Sequence, residues 1–217
     1  MKIIDRCFRL KERTVGILGQ KGVGKTFLTR QFIEKLEKNA VVFDTIGAIK
    51  AKNVRMYDVE PVKLEEQAVF FSEIVKNTKK NVGVNLSKLT QDEIVEFTDY
   101  FLLISNLKNK YVFLDEMAEY TPQSGERSKE MERFVRLGRN SGNTFIFNTQ
   151  RPAYIHKNIL NLIDVLIVFR LVWERDIMVI KDLLNNLGYR NITGEIRKIT
   201  NQKTGEKRIY VFSKTIK

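Results

Sequence analysis

The sequence predicts an α/β fold, a mostly parallel sheet sandwiched between helices and followed by a C-terminal β-hairpin. Three observations predict it. Six short runs rich in β-branched and aromatic residues, each bounded by turn formers, read as strands buried on both faces. Segments of helical period fall between them, and this alternation implies right-handed crossovers into a parallel sheet. The chain has 217 residues, 43% of them hydrophobic and 29% charged, which suits one α/β domain and leaves two full domains cramped. Residues 1–217 therefore read as a single domain, with a core over about 13–188 and a basic hairpin over about 190–217.

The elements follow in order. Thr14–Leu18 is the first strand, and Thr26–Leu36 the helix after it. Val41–Phe43 is the second strand, followed by a helix at Leu64–Val75 with apolar residues at helical spacing. Val82–Leu86 is the third. Thr90–Leu107 opens with a capping box, Thr90 bonding the third helical amide while Glu93 reaches back, and then puts Ile94, Phe97 and Phe101 on one face. Tyr111–Leu114, a helix at Lys129–Leu137, Thr144–Phe147 and Val165–Phe169 come next. A helix at Arg175–Leu187 is closed by Gly188. Ile196–Ile199 and Arg208–Phe212 alternate around the turn-rich Gln202–Glu206, which predicts a terminal antiparallel hairpin.

Composition narrows the function. Lys and Arg number 38 against 26 Asp and Glu, a net charge of +12 that favours a polyanionic partner. The last 28 residues carry half of that excess. No apolar stretch reaches the roughly 18 residues of a spanning helix. The opening MKIIDRCFRLKER has charges where a signal peptide needs an apolar core, so a cytoplasmic location is expected. One cysteine, Cys7, excludes a disulfide framework and a cysteine zinc site, and one histidine, His156, excludes a multi-histidine metal site. Cys7 reads as packing or a free thiol, and His156 as a cap or surface residue. Trp173, Phe97 and Phe101 read as core and interface, and Lys76–Lys80 as a solvated loop.

The chemistry sits at strand ends. Gly19-Gln20-Lys21-Gly22-Val23-Gly24-Lys25-Thr26 fits G-x-x-x-x-G-K-[ST], the Walker A loop, between a strand and a helix as that motif requires. Glycines let backbone N–H groups curl around phosphates at a helix N-terminus that already favours anions. Lys25 can reach the β- and γ-phosphates of ATP, and the Thr26 hydroxyl can hold Mg²⁺. Tyr111–Leu114 ends in Asp115 and Glu116, the pattern of a Walker B strand. Asp115 suits the Mg²⁺ shell, and Glu116, one residue on, suits a general base acting on water. Gln150 follows the strand Thr144–Phe147, where its amide could touch the γ-phosphate or the water; a plain surface glutamine is the alternative. Arg139, where a helix ends at glycines, suits an arginine finger reaching a neighbouring protomer. A cation complementing the helix C-terminus is its alternative, and Arg136 is its rival.

Leu137 to Pro152, LGRNSGNTFIFNTQRP, resembles the segment of the HerA/FtsK superfamily that runs from its glycine-arginine turn through a strand to Q-R-P. Val41–Gly47 (VVFDTIG), Val84–Ser87 and Leu166–Asp176 (LIVFRLVWERD) are similar to other strand ends of that family, so the likeness spans roughly residues 13–188. It implies a RecA-like P-loop ATPase that pumps double-stranded DNA as a hexameric ring. It carries Lys25 and Thr26 over to nucleotide and Mg²⁺, Asp115 to Mg²⁺, and Glu116 to catalysis. It also carries Gln150 over as sensor and Arg139 as trans-acting finger. With no N-terminal barrel and no winged-helix domain, the chain looks most like compact viral genome-packaging or plasmid ATPases. A capsid, portal or membrane protein is the expected docking partner, without direct membrane insertion. Virion assembly or conjugation at a membrane, and a nucleotide-gated DNA loader that does not translocate, are the alternative readings.

Overall fold

Residues 13–186 and 188–211 are described by a computed structural model; Cys7, Phe212, Lys214, Lys217 and the side chain of Arg139 lie outside the described residues. Eight strands form one sheet: β1 (Thr14–Leu18), β2 (Ala40–Asp44), β3 (Val54–Asp58), β4 (Asn81–Asn85), β5 (Tyr111–Leu114), β6 (Thr144–Thr149), β7 (Val165–Phe169) and β8 (Lys207–Val211). Their order is β3-β4-β2-β5-β6-β1-β7-β8. All neighbours are parallel except β7 and β8. Parallel pairing points the C-terminal ends of β1, β2, β5, β6 and β7 to one rim, so that strand-end side chains distant in sequence converge there.

The core lies on both faces of this sheet, as the continuous apolar runs predict. On one face α1 (Lys25–Lys35) packs Leu28, Phe32 and Ile33 against Val15, Ile17, Val42 and Ile167. The other face is covered by α2 (Leu64–Asn77), α3 (Gln91–Ser105), α4 (Lys129–Leu137), the short α5 (Lys157–Leu160), α6 (Glu174–Asn186) and α7 (Ile192–Thr200). There the Phe101 ring lies 5.3 Å from Phe43 and 5.2 Å from Phe71, all three buried. Each such ring contributes roughly 1.5–3 kcal/mol by burial. The capping box of α3 is formed, with the Glu93 amide donating to Thr90 Oγ1 and the Thr90 amide donating to Glu93 Oε2. The helix stops at Ser105, two residues short of expectation, because Asn106 turns left-handed at φ 43°.

Three elements differ from the sequence reading, the first being α5, whose four residues are too few to show a helical period. β3 was not expected. It pairs only with β4 at the margin of the described sheet and is half exposed, so no apolar run marks it. The C-terminal antiparallel pair exists, but its partners are β7 and β8. Ile196–Ile199, expected as a strand, lies inside α7. Asn191 caps that helix by accepting from the Gly194 amide at 3.0 Å, and Ile192, Ile196 and Ile199 fall on one helical face against the core. The same isoleucines that suggest a strand also satisfy the i, i+4, i+7 rule.

Candidate active site

The turn after β1 carries the glycine-rich loop. Gly22 and Gly24 have φ of 80° and 105°, a region that favours glycine. A Cβ on Gly19 would meet Phe169 Cβ at 2.6 Å, so β7 presses on the loop at that point. Lys25 opens α1 with its side chain nearly buried and its ammonium donating to the Gln20 carbonyl at 2.8 Å. Burial lowers its pKa to about 8, with Glu116 and Asp115 pulling the other way. The lysine and both carboxylates therefore share one electrostatic environment.

Asp115 and Glu116 leave β5 at the same rim. Asp115 is 1% exposed and its Oδ2 has no hydrogen-bond partner among the described residues. Burial raises its pKa to about 6, helped by Asp44 and Glu116 and opposed by Asn148 and Lys25. A buried, unpaired acceptor that resists ionisation is satisfied by a cation, so the residues fit a hard metal such as Mg²⁺. Glu116 is held at φ 48°, ψ 77°, a backbone strain of the kind that collects at functional sites. Three groups fix it: its amide donates to Asn148 Oδ1 at 3.0 Å, the Thr149 hydroxyl donates to its Oε1, and the Gln150 amide donates to its Oε2 at 3.0 Å. Burial raises the Glu116 pKa, while the bonds from Thr149 and Gln150 lower it.

Gln150 directly follows β6, which runs to Thr149, two residues beyond its expected end. Glu116, Gln150, Arg151, Glu119, Thr45 and Ile46 are among the residues lining an adjoining cleft of about 450 Å³. Behind it, Arg151 is anchored by buried Asp176, Nε to Oδ2 at 3.2 Å, with its guanidinium 4.4 Å from the Tyr154 ring and 5.4 Å from Trp173.

No family model matches the chain, and no curated protein matches it. Solved structures do. The genome packaging NTPase B204 from Sulfolobus turreted icosahedral virus 2, in complex with AMPPCP, is similar with a TM-score of 0.63 at 15% identity, over 92% of each chain. B204 described as the DNA-packaging ATPase of Sulfolobus turreted icosahedral virus gives 0.60 at 14%, over 93% of each chain. This chain has the P-loop NTPase fold. The P-loop fold recurs in the pCW3 conjugation coupling protein TcpA, at a TM-score of 0.54 and 16% identity, over 94% of this chain and 58% of that one.

Within this P-loop fold, Lys25, Asp115, Glu116 and Gln150 meet at one rim, and Arg139 does not join them. Its backbone lies in the 3₁₀ turn Gly138–Ser141, just before β6 begins, whereas Gln150 lies just after β6 ends. The strand has six residues, which at the usual rise separates the two positions by roughly 20 Å. Sequence reasoning missed Asn148 and Thr149, which hold Glu116, and the role of Asp44. Asp44 accepts from the backbone amides of Ile46, Gly47, Ala48 and Ile49, and its carboxylate beside Asp115 helps raise the Asp115 pKa. The signal for the first two was present: an apolar strand that turns polar for its last two residues.

Two other expectations are settled by burial. Trp173 is 58% exposed, because it lies just before α6, where its ring meets Arg151 instead of the core. His156 caps α5, its Nδ1 accepting from the Asn158 amide at 3.4 Å.

Proposed function

We propose that this chain is an ATP-hydrolysing translocase of double-stranded DNA, working as a homo-oligomeric, hexameric ring, that packages a viral genome or pumps plasmid DNA. The carrying observation is the convergence of Lys25, Asp115, Glu116 and Gln150 around a Walker A loop. The likeness of the fold to proteins named as packaging NTPases supports the same reading.

In this reading the amides of residues 19–26 and the Lys25 ammonium hold the β- and γ-phosphates. The Thr26 hydroxyl and Asp115 Oδ2 would hold Mg²⁺, which when bound neutralises phosphate charge. Glu116 takes a proton from the attacking water. Burial strengthens it as a base, and the bonds from Thr149 and Gln150 keep it aimed and ionised. The Gln150 side chain contacts the γ-phosphate or the water. Arg139, too far along β6 to serve its own site, completes the site of the next protomer. DNA is gripped through phosphates by the excess of cations, because a motor must accept every sequence it passes. The likeness to a conjugation coupling protein supports a second version, in which the same motor works through a membrane partner. No helix among the described residues is long and apolar enough to cross a membrane.

The test is the ATPase rate against protein concentration, with and without duplex DNA. The rate per protomer should rise with concentration and rise again with DNA of any sequence. Mixing Arg139→Ala with Glu116→Gln protomers should restore part of the activity that each lacks. Co-assembled mixtures no more active than either variant would refute the trans finger, and a strong preference for one DNA sequence would favour a site-specific loader.

A further inference from the structure

The catalytic groups sit where the parallel strands end, and a concentration of positive charge sits where three of them begin. Residues 35–38 (KLEK), 50–55 (KAKNVR) and 76–80 (KNTKK) hold eight Lys and Arg against Glu37, so 15 residues carry +7 of the chain's +12. The fold brings these segments together at the starts of β2, β3 and β4. Asn53 donates through Nδ2 to the Ile33 and Leu36 carbonyls at 3.0 and 2.8 Å, and Asn81 Nδ2 donates to the same Leu36 carbonyl at 2.8 Å. The Asn39 amide donates to the Lys79 carbonyl at 2.7 Å. Between the segments opens a cleft of about 620 Å³ whose lining includes Lys52, Arg55, Lys80, Tyr57 and Glu37. All eight cations are exposed, and among the described residues Lys52, Arg55 and Lys80 make no salt bridge. The C-terminal segment differs, because there Lys198 and Arg208 are both paired with Glu195.

We infer that this rim, around the cleft between β3 and β4, is the surface on which the phosphate backbone of duplex DNA lies. The inference rests on the DNA reading proposed above and gives it a place on the chain. Clustered cations without carboxylate partners repel one another in the isolated protein, and a polyanion relieves that repulsion while its own counterions are released. Exposed Lys and Arg on a rim suit phosphates, which position a duplex without reading its sequence. The rim is also joined to the nucleotide loop. α1 starts with Lys25 at the loop and ends with Lys35 in the rim, 11 residues on, a span of roughly 16 Å. Asn53 and Asn81 hold the carbonyls at that far end. A load on the rim is therefore carried by the helix that opens at the phosphate loop.

Fluorescence anisotropy of the full chain with a labelled random-sequence duplex, across a range of salt and without nucleotide, tests this. Combining Lys52→Gln, Arg55→Gln and Lys80→Gln should flatten the log–log salt slope by about 2–3, since each phosphate contact supplies roughly 0.9. Duplex affinity at low salt should fall by about tenfold or more. Combining Lys203→Gln, Lys207→Gln and Arg208→Gln removes the same charge from the C-terminal segment and should move the slope by less than about 1. Acetylation footprinting of the wild type gives a second readout that needs no variant: duplex should shield Lys52 and Lys80 and leave Lys203 reactive. An unchanged slope in the first triple variant, equal changes in both, or equal shielding of Lys203 would overturn the assignment. So would a first variant that keeps duplex affinity but loses binding to phosphatidylserine vesicles, which would give the rim to a membrane surface instead. Failure of the wild type to bind any duplex at low salt would overturn the DNA reading itself.

Discussion

The two flanks of β1 are built to opposite specifications. Toward β5 and β6 the groups are buried, charged and strained: Lys25 and Asp115 are shifted toward their neutral forms, and Glu116 sits at positive φ. Toward β7 and β8 the charges of Lys203, Glu206, Lys207 and Arg208 are exposed or half-buried instead of enclosed. The contrast teaches where the protein places its cost. The flank assigned to chemistry is unfavourable in isolation, and the other flank is held by ordinary backbone and side-chain hydrogen bonds, such as Gly205 to Val23 and Lys203 to Glu206.

Substitutions on the β5–β6 flank should break this contrast most strongly. Lys25→Ala should abolish nucleotide binding and turnover. Glu116→Gln should keep binding and lose roughly 10²–10⁴ in kcat, the usual worth of a general base. Calorimetry beside steady-state rates checks this, and equal loss of binding in both would make Glu116 a metal ligand or a structural residue. Thr149→Val is next, lowering kcat on the order of tenfold, a part of what the base supplies. Because the Thr149 hydroxyl lowers the Glu116 pKa, its removal raises that pKa. The acid limb of the rate profile should therefore move to higher pH, a displacement that simple loosening of the fold would not produce.

Asp115→Asn should act on stability, and in the opposite direction. Its carboxyl titrates near 6 in the folded protein against a usual 3.8. Between those values the folded state binds more protons than the unfolded chain, so this group subtracts stability as pH rises through the window, up to roughly 3 kcal/mol. The variant should melt several degrees higher than wild type at pH 7 without nucleotide, and should lose the decline between about pH 4 and 6. On the other flank Arg208→Ala should matter least. Its pair with Glu195 is partly exposed, and such pairs are worth about 1 kcal/mol or less. A melting shift larger than that of Asp115→Asn would reverse the contrast.

Legibility in the sequence follows the same division. β1, β2, β5, β6 and β7 are read directly because burial on both faces forces unbroken apolar runs. β3 is not, because a marginal strand with one neighbour needs no such run. The loop from Gly19 to Thr26 and the pair Asp115-Glu116 are legible because their chemistry is local. The clamp of Asn148 and Thr149 on Glu116 is not, because it joins strands that pairing alone brings together, more than 30 residues apart. α7 misleads for a different reason: Ile196 and Ile199 carry no information that separates a short strand from one helical face until the Asn191 cap is known.

The margins of the sheet carry a consequence for handling the protein. Among the described residues the sheet ends in β3 and β8, and an open strand edge is a template for pairing with another chain. Both edges are guarded by cations: Arg55, stacked 5.0 Å over Tyr57, on β3, and Lys207 with Arg208 on β8. Colloidal stability thus draws on the same positive charge that the DNA reading uses, and ionic strength weakens both. Salt used to strip nucleic acid during purification removes, in the same step, the repulsion that keeps one edge from finding another.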